Sequence, residues 1–149
     1  MKKIFISSDH AGYNLKKNIL KKFSRKQKII DLGPSSNSTV DYPYYAHKLS
    51  KKIATTKDSF GILVCGSGMG MSITANKNKK IRAALCYSVK NTRLSRLHNN
   101  ANIITLGQRL INKKKAFNLI RVFLKTKFEG GRHSRRVKKI WLCLVKANI

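Results

Sequence analysis

The sequence predicts an α/β fold: a Rossmann-like three-layer α/β/α sandwich around a five-stranded parallel sheet, with a C-terminal helix. Short apolar runs alternate with amphipathic stretches along the chain, the pattern of strand and helix units joined by right-handed crossovers. The run FGILVC (60–65) is apolar without alternation, as a strand buried on both faces requires. Directly after it, in LVCGSGMGMS (63–72), a thiol and three alternate glycines lead towards the next helical stretch.

The elements follow in order. KIFIS (3–7) is the first strand, and GYNLKKNILKKF (12–23) is a helix that gathers Leu15, Ile19, Leu20 and Phe23 on one face. KIIDLG (28–33) is the second strand. In YPYYAHKLSKKIA (42–54) a proline stands in the first turn, where its missing N–H costs a helix nothing. After the third strand and its glycines come a short helix at 71–77, a strand at 82–87, a helix at 88–98 and a fifth strand at 102–107. The stretch 114–126 is helical, with Phe117, Ile120, Val122, Phe123 and Leu124 as its apolar face. The tail GGRHSRRVKKIWLCLVKANI (130–149) predicts a helical extension after a Gly-Gly hinge. Its apolar cluster, Ile140, Trp141, Leu142, Leu144 and Val145, needs covering by the chain's own body or by a partner subunit.

A length of 149 residues suits one domain over 1–149, with a core large enough to need neither metal nor disulfide. Cys65, Cys86 and Cys143 lie far apart without any CxxC spacing, which argues against a disulfide framework or a zinc site and for a reducing compartment. At the start, MKKIFISSDH, the apolar run stops at Ser7, short of the roughly 7–15 residues of a signal h-region. No later run reaches the ~18 residues of a membrane span, so a cytoplasmic protein is expected.

The net charge is +28, which raises nucleic acid as a partner through phosphate neutralisation. The lysines, however, are spread through nearly every segment and accompany abundant Asn and Ile, all residues of AT-rich codons. Solvated faces account for that distribution, and nucleic acid is not the expected partner. The acids are scarce and therefore informative: Asp9, Asp31, Asp41, Asp58 and Glu129, three of them inside the words SSDHAG, TVDYP and FEGGRHS.

Ligands of a parallel sheet bind at the carboxyl ends of its strands. Those ends deliver Asp9 and His10, then Cys65, Gly66, Ser67 and Gly68, then Gly107, Gln108 and Arg109. The glycine loop has neither GxGxxG nor GK[ST] spacing, and no acid lies between Asp58 and Glu129 to hold a ribose. The spacing thus argues against a dinucleotide. What remains is a run of backbone N–H groups leading into a helix N-terminus, a setting that stabilises an oxyanion and a thiolate. Cys86 and Cys143 have no such surroundings and read as small buried hydrophobes. Arg132 and Arg136, four apart, share a helical face and form a fork for phosphate. His98 and Asn99 close a helix just before the last strand, where an imidazole serves as acid or base, whereas His47 lies inside a helix and reads as surface.

Taken together, SSDHAGYNLK, VDYPYYA, GILVCGSGMGMSITANK, IRAALC, RLSRLHNNANIITLGQR and FEGGRHSRRV resemble the type B ribose-5-phosphate isomerases, over nearly the whole chain to about residue 140. That family is similar to the isomerases of allose 6-phosphate and galactose 6-phosphate. The resemblance implies interconversion of ribose 5-phosphate and ribulose 5-phosphate through a cis-enediolate, in the non-oxidative pentose phosphate pathway, without metal or cofactor. It implies Cys65 as the base that moves the proton between C2 and C1, with the N–H groups of Gly66, Ser67, Gly68, Met69 and Gly70 holding the enediolate. It further implies His98 as the acid that opens the furanose ring, helped by Asp9. Asn99 would bind sugar hydroxyls, and His10, Arg109, Arg132 and Arg136 the phosphate. The family shares its sites across a homodimer, with His98, Asn99 and the arginine set coming from the other subunit; whether the dimer pairs further into a tetramer the sequence leaves open. One branch uses a glutamate where this chain has Met71, whose thioether accepts no proton, so the cysteine route is the consistent one. Three alternatives stay open: a six-carbon sugar phosphate as substrate, a basic nucleic-acid-binding protein on the same fold, and a sugar-phosphate binder without catalysis, against which every expected chemical position stands intact.

Overall fold

Residues 2–25 and 27–142 are described by the structure, a computed structural model. Strands β1 (Lys3–Ser8), β2 (Ile29–Asp31), β3 (Ser59–Cys65), β4 (Ala83–Leu85) and β5 (Ile103–Gly107) form one sheet in the order β2-β1-β3-β5-β4. All its pairs are parallel. Among the described residues the connections and the end are helical: α1 (Tyr13–Phe23), α2 (Tyr42–Thr55), α3 (Met69–Ala75), α4 (Val89–Leu97), α5 (Lys113–Lys125) and α6 (Arg132–Lys139). The expected α/β sandwich with five parallel strands is what forms.

Alternation along β1 sends successive side chains to opposite faces of the sheet. Ile4 and Ile6 pack with Leu15, Ile19 and Phe23 of α1 and with Leu119, Ile120 and Phe123 of α5. Phe5 packs on the other face with Leu49 and Ile53 of α2 and Met71 and Ala75 of α3. Each fully buried aliphatic or aromatic side chain contributes roughly 1.5–3 kcal/mol, so these two layers, rather than the short edge strands, hold the frame.

Register brings the strand ends level. Ser8 pairs with Val64, and Cys65 with Gly107. The chain leaves β1 outward to β2 and returns across it to β3, which makes the carboxyl ends of β1 and β3 a topological switch point.

Three expectations need correction. The edge strands β2 and β4 are three residues each, shorter than 28–33 and 82–87, because each has one neighbour and the chain turns away, after β2 through Gly33 at φ +99°. The third helix begins at Met69 rather than 71, because Gly68 at φ +80° serves as its N-cap. The last helix ends at Lys139; Ile140 and Leu142 are exposed, while Cys143, Leu144 and Val145 lie outside the described residues.

One buried charge shapes the approach to the site. Lys16 of α1 is fully buried, its ammonium donating to both Asp31 carboxylate oxygens at 2.9 Å and to the Pro34 carbonyl. It pins the end of β2 and the loop after it to α1. That loop carries Val40, whose backbone meets His10.

Candidate active site

At the carboxyl ends of β1, β3 and β5 lies a cavity of about 350 Å³, lined by Asp9, His10, Ala11, Tyr42, Cys65, Gly66, Ser67, Gly70, Arg109 and Leu110. Asp9, 7% exposed, follows β1 and accepts the Gly12 N–H through Oδ1 at 2.8 Å. Position 12 tolerates no side chain: a Cβ there would stand 2.2 Å from the Val64 carbonyl oxygen. The bare backbone therefore lets α1 start close enough to β3 for its N-terminal amide to fix the carboxylate, which leaves Oδ2 for a ligand. His10 Nδ1 lies 3.1 Å from the Val40 carbonyl and 3.3 Å from the Val40 nitrogen, so the loop after β2 orients its ring and frees Nε2.

Cys65 ends β3 and is 5% exposed; its Sγ accepts the Gly68 N–H at 3.0 Å. The left-handed turn at Gly68 is what aims that N–H back at the sulfur. Ser67 Oγ accepts the Met69 N–H at 3.3 Å, and the Met69 side chain is exposed. Arg109 donates its backbone N–H to Gly66 at 3.0 Å, and its guanidinium lies against Gly66, 3.2 Å from where a Cβ would stand. The N–H groups, the thiol and the guanidinium thus line one anion-favouring hollow without an acid other than Asp9.

A second cavity, about 280 Å³, is lined by His98, Asn99, His133, Arg136, Val137 and Ile140. His98 caps the end of α4, and Asn100 at φ +47° turns the chain towards β5. Beneath them Arg96, 4% exposed, donates to the Thr126 carbonyl, the Asn100 side-chain oxygen and the Ala101 carbonyl. The Glu129 N–H reaches the Leu97 carbonyl at 3.1 Å. These contacts tie the end of α4 to the segment before α6, and the rings of His98 and His133 stack with centroids 4.2 Å apart and planes 11° from parallel. Glu129 Oε2 lies 3.8 Å from His98 Nε2 and 3.9 Å from His133 Nε2. Burial lowers the pKa of His133, and His98, Arg132 and Arg136 lower it further against the opposing pull of Glu129.

The residues singled out from the sequence therefore fall into two groups. Asp9, His10, Cys65, Gly66, Ser67, Gly70 and Arg109 share the first cavity; His98, Asn99 and Arg136 share the second. Arg132 is exposed at the start of α6 and lines neither. Tyr42 and His133 line the cavities and escaped the sequence reading, although each sits in a word that holds a scarce acid, TVDYP and FEGGRHS. Cys86 is buried and its pKa is raised by that burial, as suits a packing residue. His47 is exposed. A larger cavity, about 740 Å³, lies at the opposite end of the sheet around Lys2, Phe5, Ile30 and Lys52, and no thiol, imidazole or carboxylate lines it.

The family described as Ribose/Galactose Isomerase matches residues 4–140. The ribose-5-phosphate isomerase B of Escherichia coli is 39% identical over 141 residues, 94% of this chain and 95% of that one. Among solved structures, ribose-5-phosphate isomerase B of Clostridium thermocellum superimposes with a TM-score of 0.90 at 44% identity, covering 93% of this chain and 94% of that one. The Mycoplasma genitalium ribose-5-phosphate isomerase B, solved with bound ribulose-5-phosphate, gives a TM-score of 0.88 at 40% identity and covers 93% of each chain. A family match over residues 4–140, relatives of this identity over nearly the whole of both chains and a superposition of this quality leave one conclusion: the chain belongs to the ribose/galactose isomerase family, with the type B ribose-5-phosphate isomerases, and is an isomerase.

Proposed function

We propose that this isomerase interconverts ribose 5-phosphate and ribulose 5-phosphate through a cis-enediolate, in the cytoplasm, as a step of the non-oxidative pentose phosphate pathway. The observation that carries the proposal is the hollow at the switch point, where a thiol, a carboxylate and an imidazole converge with backbone N–H groups and a guanidinium.

Cys65 as thiolate takes the C2 proton of the opened aldose and returns it to C1. The negative charge that develops on the C1 and C2 oxygens falls to the N–H groups between Gly66 and Gly70 and to the Ser67 hydroxyl. Gly68 N–H points at the sulfur, so a backbone amide already faces the proposed base. The phosphate goes to His10 and Arg109 from one side and to Arg132 and Arg136 from the other.

The second group supports a site shared between two subunits. Its members have the missing chemistry, an acid and a hydroxyl-binding amide, yet line a separate cavity of the same chain. In a twofold homodimer, His98 and Asn99 of one subunit would complete the hollow of the other. Among the described residues no helix is long and apolar enough to cross a membrane.

The testing experiment is ketose formation from ribose 5-phosphate by purified protein in chelator, beside Cys65→Ala and with allose 6-phosphate as second substrate. Pentose turnover that falls by at least about 10²–10⁴-fold in the variant, the share a positioned base supplies, supports both the activity and its base. Faster turnover of the six-carbon sugar would reassign the substrate, and no turnover of either by folded protein would reject the reading.

A further inference from the structure

Glu129 is the sole acid after Asp58 in the chain, and it stands between two imidazoles in a region otherwise rich in arginine. The donor atoms His98 Nε2, Glu129 Oε2 and His133 Nε2 all lie within 4.8 Å of one another. An independent feature points to a ligand there: His133 Nε2 is buried and has no hydrogen-bond partner among the described residues, on a side chain only 7% exposed. A buried nitrogen without a partner keeps its desolvation cost uncompensated, and a bound ion would supply the partner.

We propose that His98, Glu129 and His133 form a binding site for Zn²⁺ or a like borderline divalent ion, and that the bound ion inhibits the isomerase by occupying His98. Binding needs only the cluster; inhibition rests also on the function proposed above. Two imidazole nitrogens and one carboxylate oxygen are the ligand set of an open zinc site, with a fourth position left for water. Hard cations such as Mg²⁺ and Ca²⁺ find one carboxylate and no carbonyl cage here, and are not taken up.

Geometry permits closure with small movements. Ligand atoms on bonds of about 2.0–2.2 Å stand about 3.4 Å apart in a tetrahedron, against the present 3.8 and 3.9 Å. The stacked rings must also open, since one ion cannot lie in the planes of two near-parallel rings whose centroids are 4.2 Å apart. The His98 side chain, 37% exposed, is free to tilt, and that of Glu129 is 52% exposed, while His133 stays fixed by its burial. Arg132 and Arg136 repel a cation, and the Glu129 charge offsets them only in part. The site is accordingly an inhibitory one of modest affinity rather than the seat of a resident metal.

Co²⁺ as a spectroscopic probe tests binding on the whole protein. One ion per chain, with the visible absorption of four- or five-coordinate Co²⁺ displaced by Zn²⁺, is the expected result. In Glu129→Gln and in His133→Asn affinity should drop by more than the roughly 10–100-fold that even an outer ligand partner brings, with circular dichroism confirming that each variant is folded. Cys65→Ser should bind Co²⁺ like the parent. Loss in Cys65→Ser with retention in the other two would place the ion on the thiol and overturn the site, as would no Co²⁺ binding by the folded parent. Zn²⁺ should also stop ketose formation reversibly, with EDTA restoring it and Glu129→Gln relieving it. Co²⁺ binding as described beside unimpeded isomerisation would overturn the inhibitory half. An inactive protein that binds Co²⁺ as described would sink the function proposed above and leave the metal site standing.

Discussion

Cys65 and His98 carry the two proton movements proposed for this site, and the structure gives them different surroundings. Cys65 is buried at a strand end with an amide aimed at its sulfur, whereas His98 is part-exposed at a helix end beside a carboxylate and a second imidazole. His98→Asn keeps the size and loses the proton. Ring opening of ribose 5-phosphate should then slow by about 10²–10⁴-fold, the share typical of a positioned acid, when furanose opening is followed directly. Equilibrium ties the forward and reverse kinetic constants together, so a turnover ratio alone does not report this role; unchanged opening in the variant would remove it from His98. Cys65 was legible because it ends an apolar strand at the carboxyl edge of the sheet, and His98 because it closes a periodic helix just before β5. His133 was not, because its stacking on His98 depends on a contact across the fold that local spacing does not encode.

Among the elements, the ends of α4 and α5 are joined by one buried arginine. Arg96 sits between the Phe60 and Phe123 rings and serves three oxygens without a carboxylate partner, and burial, then Arg82, brings its pKa down to about 10. Replacing a buried charge by an apolar residue is often neutral, but here the oxygens left behind would be orphaned. Arg96→Met should therefore cost about 2–4 kcal/mol, read as a shift of the urea midpoint at unchanged slope, and should lower turnover in the protein that remains folded. The same junction is sensitive to acid. His133 has a lowered pKa in the fold, so below about pH 6.5 the unfolded chain takes a proton that the folded one resists, and stability falls. The fall is complete once pH drops below the folded value. Melting temperatures between neutral and acid pH should drop less in His133→Asn than in the parent; parallel curves would show that His133 is not the group responsible. At this scale the sequence was read well where apolar periodicity runs long, as in β3 and α5. It was read poorly at β2 and β4, whose lengths depend on having a neighbour on one side only, and at Lys16. That lysine belongs to a helix crowded with solvated lysines, and its burial depends on Asp31 and Pro34, 15 and 18 residues away. The scarcity of acids was the one signal that Asp31 had a task.

For the whole molecule, the separation of the two cavities implies more than a site near an interface. If each active site combines the Cys65 hollow of one subunit with the His98 and arginine set of the other, then two inactive variants should repair one another. Cys65→Ala lacks the base in every site of its homodimer, and the double variant Arg132→Ala, Arg136→Ala lacks half of the phosphate grip in every site. In a mixed dimer one site collects all the substitutions and the other collects none. With random exchange about half the dimers are mixed and each has one intact site, so about a quarter of the parent activity should return. Were the sites instead contained within single chains, every site of the mixed dimer would carry a lesion and mixing would restore nothing. The assay needs subunits to exchange, which is checked by following a tagged variant into untagged dimers. The +28 charge adds a condition: repulsion between two such chains weakens association at low ionic strength and is screened within about 10 Å at 0.1 M salt. Recovery of activity on mixing should therefore persist, and rise if anything, as salt is added, whereas assembly through ion pairs between the subunits would lose it.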